Sequence, residues 1–250
     1  MAGKVIGEGN QPLICTPLVG KTEELILSEL NNVLEKKPDI IEWRADFFEG
    51  LANTNEVVLI AKQIKANAED IPIIFTVRSF REGGQPISLS DKEVIDINVA
   101  ICRYTAVEYI DCELNNRPEY FKLLRRIASE NNTKIIASFH DFHFTPDREI
   151  LLNKFSEATN YGADVVKVAV MANDLSDVLT LLNVTLEGKN TIDIPVITVS
   201  MGEFGALTRM IGGVFGSAVT FAVGQSSSAP GQLPIEDLRT VLNIVQKSIG

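Results

Sequence analysis

The chain has 250 residues, 45% of them hydrophobic, and a formal net charge of −10. This length suits one α/β-barrel domain or two smaller domains, and the charge argues against nucleic acid or an anionic membrane as a partner. Three separated cysteines with apolar neighbours predict free thiols in a reducing cytoplasm. Residues 1–10 lack the apolar core of a secretory signal, and no apolar run is long enough to span a bilayer.

Short apolar runs alternate with longer segments of helical periodicity, as in parallel sheets whose strands are buried on both faces. Strands are predicted at Leu13–Pro17, Ile40–Arg44, Ile73–Arg78, Tyr109–Glu113, Lys134–Phe139, Val165–Ala169, Val196–Ser200 and Ala218–Val223. Helices are predicted at Thr22–Lys36, Glu56–Asn67, Asp91–Arg103, Pro118–Asn131, Arg148–Tyr161, Asp174–Glu187, Ala206–Val214 and Ile235–Ser248.

Eight strand–helix units predict a (β/α)8 TIM barrel, formed as a single domain over residues 1–250. The alternative is an open, doubly wound sheet, which also alternates strands with helices. No GxGxxG motif follows the first strand, which weakens a dinucleotide-binding interpretation. Residues 3–10 precede that strand and are predicted to form a short hairpin or plug at the barrel bottom.

Lys167 is the one charged side chain inside an otherwise apolar run, residues 165–170. A buried ammonium is costly to desolvate unless it is paired or loses its proton. A neutral amine is a nucleophile that can form a Schiff base with a ketone or an aldehyde. The structural alternative is that Lys167 reaches water from a strand end or pairs with a carboxylate.

Catalytic groups of a barrel lie at the carboxyl ends of its strands and in the following loops. Polar residues of this chain collect at those positions, among them Glu42, Arg44, Arg78, Glu82, His140, Arg209, Ser228 and Gln232. Each has a structural alternative: buried charges can pair within a barrel, and the serine- and glycine-rich segment 224–232 can be an ordinary flexible loop. Their common location, together with Lys167, favours an active site.

The two histidines, His140 and His143, stand three residues apart where no helix is predicted. A third metal ligand is not evident near them, so no metal site is expected.

Seven motifs occur in order along nearly the whole chain. They are Glu-Trp-Arg-Ala-Asp (42–46), Phe-Thr-Val-Arg-Ser with Glu-Gly-Gly (75–84), Asp-Cys-Glu-Leu (111–114), Ser-Phe-His-Asp-Phe-His (138–143), Val-Lys-Val-Ala-Val-Met (166–171), Gly-Ala-Leu-Thr-Arg (205–209) and Ser-Ala-Pro-Gly-Gln (228–232). Together they resemble the type I 3-dehydroquinate dehydratases, the Schiff-base dehydratases of the shikimate pathway.

The resemblance implies a cytoplasmic TIM-barrel lyase, usually a homodimer, that converts 3-dehydroquinate to 3-dehydroshikimate and water without a metal or organic cofactor. Lys167 matches the Schiff-base lysine, His140 the general acid and base, and Glu82 the carboxylate that supports this histidine. The residues that match the hydroxyl side of the substrate site are Glu42, Arg44 and Arg78. Those that match the carboxylate clamp and the lid are Arg209, Ser228 and Gln232.

Two positions depart from the family pattern, Cys112 and Phe139, and the first-strand loop 16–21 carries no assignment. One alternative function is a class I aldolase or transaldolase, which would use the same imine and could bind phosphate at Gly212-Gly213 and Gly216-Ser217. Another is a catalytically silent barrel that acts as a binding protein.

Overall fold

The computed structural model describes residues 3–224 and 228–249. Its strands are β1 (Leu13–Leu18), β2 (Ile40–Arg44), β3 (Ile73–Thr76), β4 (Tyr109–Glu113), β5 (Lys134–Asp141), β6 (Val165–Met171), β7 (Val196–Met201), β8 (Val219–Val223) and the short β9 (Leu233–Pro234). Its helices are α1 (Glu23–Glu35), α2 (Thr54–Ala68), α3 (Asp91–Tyr104), α4 (Pro118–Glu130), α5 (Arg148–Asn160), α6 (Leu175–Thr191), α7 (Ala206–Phe215) and α8 (Ile235–Ile249).

Strands β1 to β7 pair in parallel with their neighbours in sequence, and β1 also pairs with β8. The ring closes between β7 and β8 at a parallel bridge from Val196 to Ser217, where the Ala218 N–H donates to the Val196 carbonyl over 2.8 Å. An open doubly wound sheet would reverse its strand order instead. The predicted (β/α)8 barrel is therefore confirmed.

Several helices begin at a side-chain cap that matches the sequence pattern. Ser90 and Glu93 form a capping box at the start of α3, and Asn53 accepts from the backbone N–H of Glu56 at the start of α2. Such caps satisfy orphan backbone donors and determine where each loop above the barrel ends.

The barrel interior has a polar side and an apolar side. Alternate residues of β2 to β6 place charged and hydroxyl groups in its upper part, namely Glu42, Arg44, Thr76, Asp111, Glu113, Ser138, His140 and Lys167. The corresponding positions of β7, β8 and β1 are apolar and include Val199, Met201, Phe221 and Cys15. The lower part is filled by apolar side chains, so the polar groups of the interior lie in its upper part.

Of the two forms predicted for residues 3–10, the hairpin is wrong and the plug is observed, because residues 3–12 contain no strand. Gly7 and Gly9 have φ angles of 90° and 102°, so the backbone turns at both residues. Ile6 instead packs into the lower barrel core, and its N–H donates to the Tyr109 hydroxyl over 3.1 Å. The segment therefore seals the bottom as a plug.

The two departures from the family pattern lie outside the barrel interior. Cys112 and Phe139 pack between the sheet and the surrounding helices, on the opposite face of their strands from Asp111 and His140. Neither side chain lines the cavity described below.

Among the helices of residues 3–224 and 228–249, none combines the length and the apolar character needed to cross a membrane.

Candidate active site

A cavity lies at the carboxyl ends of the strands and encloses about 460 Å³ of empty space, including its open mouth. Its lining includes all nine site residues predicted from the sequence: Glu42, Arg44, Arg78, Glu82, His140, Lys167, Arg209, Ser228 and Gln232. Residues from five strands, three loops and helix α7 thus converge on one space, as expected for a barrel active site.

Lys167 projects from β6 into this cavity between two carboxylates. Its Nζ lies 3.2 Å from Glu42 Oε1 and 3.7 Å from Asp111 Oδ2, and it stands 4.6 Å from the centroid of the Phe221 ring. Lys167 therefore also pairs with carboxylates, as the structural alternative predicted. The amine is held at a defined position while still reaching the cavity.

Arg78 is the centre of a buried network of carboxylates. Its Nη2 donates to Asp111 Oδ2 over 2.8 Å, and its Nη1 donates to Glu113 Oε1 over 2.9 Å and to Ser138 Oγ over 3.0 Å. Burial by itself lowers the pKa of Arg78, but Asp111 and Glu113 more than reverse this, so the guanidinium stays charged. Burial acts to raise the pKa of Asp111, but the charges of Arg78 and Lys167 bring it below its ordinary value.

His140 and Glu82 form a contact pair at the cavity wall. The imidazole Nδ1 lies 2.9 Å from Glu82 Oε2, and the His140 backbone N–H donates to the same oxygen over 3.0 Å. Asn115 donates to the other carboxylate oxygen over 2.7 Å. Because Nδ1 is engaged by Glu82, Nε2 is the ring nitrogen left to meet a ligand.

The pKa values of this pair are displaced in opposite directions. Burial, followed by the charges of Arg78 and Lys167, holds the pKa of His140 well below its ordinary value. Burial, followed by the neighbouring Glu113, raises the pKa of Glu82 to about 8. His140 is therefore neutral near pH 7, and it can act as a general base when Glu82 is ionised.

Local backbone structure brings Glu82 to this position. The turn Phe80–Glu82 is capped by Ser79, whose Oγ accepts the Glu82 N–H, and it ends at Gly83 with a φ of 81°. A side chain is strained at such a φ, and a Cβ on Gly83 would also clash with the Phe142 ring.

Arg209, on α7, faces the apolar side of the cavity. Its Nη1 donates to the Phe221 carbonyl over 3.3 Å and its Nη2 to the Pro230 carbonyl over 3.1 Å, while its Nε has no partner among the described residues. Burial lowers its pKa to about 10, and no carboxylate within the described part of the chain forms a salt bridge with it. A buried guanidinium without a carboxylate partner can bind an anion.

Ser228 and Gln232 line the cavity and bind each other. The Ser228 N–H donates to Gln232 Oε1 over 3.0 Å, and Gln232 Nε2 donates to Ser228 Oγ over 3.2 Å. Three residues of the predicted lid, Gln225, Ser226 and Ser227, lie outside the described residues.

Sequence reasoning assigned no role to several groups that the structure places at or beside the site. The polar ones are Asp46, Asp111, Glu113, Asn115 and Ser138, and the apolar ones are Phe142, Val199, Met201 and Phe221. Counting in steps of two along each strand from a known inward residue would have found most of them. Asp46, Asn115 and Phe142 follow strands, where this alternation gives no guide.

The family model described as type I 3-dehydroquinase matches residues 14–249. The chain belongs to this family. A curated relative, the 3-dehydroquinate dehydratase of Aromatoleum aromaticum, is 50% identical over 247 residues, which cover 99% of this chain and 95% of the relative.

Solved structures of the family share the fold closely. The 3-dehydroquinate dehydratase of Geobacillus kaustophilus HTA426 has a TM-score of 0.94 and 47% identity, over 96% of this chain and 93% of its own. The type I enzyme of Clostridium difficile, solved with covalently modified comenic acid, has a TM-score of 0.93 and 38% identity, over 99% of this chain and 100% of its own.

Family membership argues against the aldolase alternative. The phosphate site predicted with it, at Gly212-Gly213 and Gly216-Ser217, is wrong. Gly213, Gly216 and Ser217 lie at the amino end of β8, beside Pro12 and Pro195. This is the barrel end opposite the cavity, so a phosphate bound there could not belong to a substrate on Lys167.

Proposed function

We propose that this protein dehydrates 3-dehydroquinate to 3-dehydroshikimate through an imine on Lys167. The observation that carries the proposal is the convergence in one cavity of a held lysine, a neutral histidine with its carboxylate, and an uncompensated arginine. Membership of the type I 3-dehydroquinase family indicates which substrate the cavity binds.

Imine formation uses Lys167 and the carboxylates beside it. Glu42, at 3.2 Å, is the nearest acceptor for a proton of the ammonium, which must be lost before the amine can attack the C3 ketone. Attack gives a carbinolamine; Glu42 then returns the proton to its hydroxyl, which leaves as water and gives the protonated imine. Glu42 and Asp111 then face the new cation, as they faced the ammonium.

Elimination uses His140 twice. A protonated imine draws electrons from C2, so Nε2 of neutral His140 takes a C2 proton and leaves an enamine. The enamine electrons restore the imine and expel the C1 hydroxyl, which takes the proton from His140 and departs as water. A second water then hydrolyses the imine, releasing 3-dehydroshikimate and free Lys167. Such acid–base assistance contributes a factor of about 10² to 10⁴.

Substrate orientation follows from the charges around the cavity. Arg209 would bind the substrate carboxylate, which would compensate its buried charge. Arg44, Arg78 and Glu42 stand on the opposite, polar side, where the substrate hydroxyls would lie. Ser228 and Gln232 would close over the bound ring and exclude water. Every step uses groups of the chain itself, so no cofactor enters the proposal.

The experiment that tests the proposal is sodium borohydride trapping with 3-dehydroquinate, followed by intact and peptide mass spectrometry. A reduced adduct on Lys167, absent from Lys167→Ala, is expected. Lys65→Ala is the matched control, because Lys65 pairs with Glu108 outside the cavity and its loss should leave the adduct intact. Turnover without any adduct would overturn the imine, and the absence of turnover from folded protein would favour the silent barrel.

A homodimer is part of the proposal, as the family resemblance implies. Large apolar side chains lie exposed on α6 and α7, among them Leu175, Leu179, Leu207 and Val214. A second copy could cover this surface. Light scattering of the purified protein would measure the mass, and a monomer at micromolar concentration would contradict this part.

A further inference from the structure

Asp46 follows β2 but does not line the cavity, and its carboxylate is buried and saturated with donors. Its Oδ1 accepts from Arg44 Nε over 2.8 Å and from the Arg78 backbone N–H over 3.3 Å. Its Oδ2 accepts from Arg44 Nη2 over 2.9 Å and from the Gln85 backbone N–H over 3.1 Å. A buried carboxylate with four donors is held in one geometry.

The two contacts from Nε and Nη2 of Arg44 orient its guanidinium. Two of the three guanidinium nitrogens are fixed on Asp46, and the Phe47 ring lies 5.2 Å from the guanidinium carbon. Within the described residues Arg44 has no other carboxylate partner. The remaining nitrogen of Arg44, Nη1, is therefore the one that can donate a hydrogen bond to a ligand in the cavity.

The two contacts from the backbone N–H groups of Arg78 and Gln85 close the loop that carries Glu82. The N–H groups of Arg78 and Gln85 stand at the two ends of this loop and bind the two oxygens of the same carboxylate. The loop is tight, because a Cβ on Gly84 would lie 2.0 Å from the Arg78 carbonyl oxygen. Displacing either end would therefore move Glu82, and with it the contact to His140.

We propose that Asp46 is a positioning residue that couples the substrate-binding Arg44 to the Glu82–His140 acid–base pair. It touches neither the substrate nor the reacting atoms. One carboxylate sets both the direction of the guanidinium and the position of the loop that carries Glu82. This inference rests on the proposed function.

The test compares Asp46→Asn with Asp164→Asn in steady-state turnover of 3-dehydroquinate. Asp164 is a matched control, because it also binds an arginine and a backbone N–H, those of Arg125 and Ile135, but at the bottom of the barrel. Asp46→Asn keeps the size and loses the charge and one acceptor. We expect KM to rise and kcat to fall by about 10- to 100-fold each, the effect of losing a charge-assisted hydrogen bond.

Three readouts separate positioning from general damage to the fold. The pH dependence of kcat should shift in Asp46→Asn and stay unchanged in Asp164→Asn. Asp46→Asn placed on an Arg44→Ala background should raise KM by less than about twofold further, since the effect on KM passes through Arg44. Asp46→Glu, which restores the charge, should recover part of both parameters.

Should Asp46→Asn fail to fold, Gln85→Pro tests the loop contact with Asp46 intact. It removes the N–H that binds Oδ2, at a position already restricted by Pro86, and should shift the pH profile with KM little changed. The proposal is overturned if folded Asp46→Asn keeps the wild-type KM, kcat and pH profile, or if its effect on KM adds fully to that of Arg44→Ala. A wild-type protein that does not turn over 3-dehydroquinate would overturn the proposed function, and this inference with it.

Discussion

Glu82 binds His140 twice through one oxygen, at the ring Nδ1 over 2.9 Å and at the backbone N–H over 3.0 Å. The position of one proton in this pair determines what the imidazole can do. If Glu82 is protonated and donates to Nδ1, the neutral ring carries its hydrogen on Nε2 and cannot accept another. If Glu82 is ionised, Nδ1 donates to it and Nε2 presents a lone pair to the cavity.

The first prediction is a pH dependence that follows from this proton. Burial raises the pKa of Glu82 to about 8, so kcat/KM should rise as pH increases towards that value. Glu82→Gln should be slower by about tenfold or more and should lack this rise. Initial rates measured across this pH range check it, and a profile without a titration near that value would contradict it.

The second prediction concerns stability and the same carboxyl group. A folded pKa of about 8, above the ordinary 4.5, means that the folded state binds the Glu82 proton more tightly. Its contribution to stability is complete below the ordinary value and is lost as pH rises through the folded one. The free energy of unfolding of the wild type should therefore fall over this window relative to Glu82→Gln. Denaturant titrations at several pH values measure this, and parallel curves would refute it.

The third prediction separates the two histidines. His140→Ala should reduce kcat by about 10² to 10⁴-fold and let the Lys167 adduct accumulate, because the amine remains while the base is lost. His143→Ala is the matched control, since His143 is exposed and does not line the cavity. Mass spectrometry of the enzyme mixed with substrate would detect the adduct. A folded His140→Ala protein that forms no adduct would assign this histidine a different role.

The fourth prediction concerns Arg209 and the substrate carboxylate. Arg209→Met should raise KM by about 100-fold with a smaller effect on kcat, since it removes a buried charge-assisted contact. It should not destabilise the free protein much, because the charge it removes is uncompensated. Arg148→Met, on the exposed surface of α5, is the control. An unchanged KM in Arg209→Met would rule out the carboxylate clamp.

The barrel was accessible from the sequence pattern, and the nine site residues, which line one cavity, were predicted from the motifs that resemble the family. Continuous apolar runs between helical segments indicate strands buried on both faces, and polar residues at their carboxyl ends mark the chemical end of a barrel. For residues 3–10 the sequence left both a hairpin and a plug open, and the packing of Ile6 into the lower core decided for the plug.

What the sequence by itself determined, then, is the order of strands and helices and the set of polar groups that meet above the sheet. Only the tertiary structure decided which of them pair. Lys167 and Glu42 are 125 residues apart and His140 and Glu82 are 58 apart, yet both pairs are in hydrogen-bond contact. The raised pKa of Glu82, the uncompensated charge of Arg209 and the double role inferred for Asp46 depend on burial and on distances of a few ångströms. Such distances are set by the closed barrel and cannot be read from spacing along the chain.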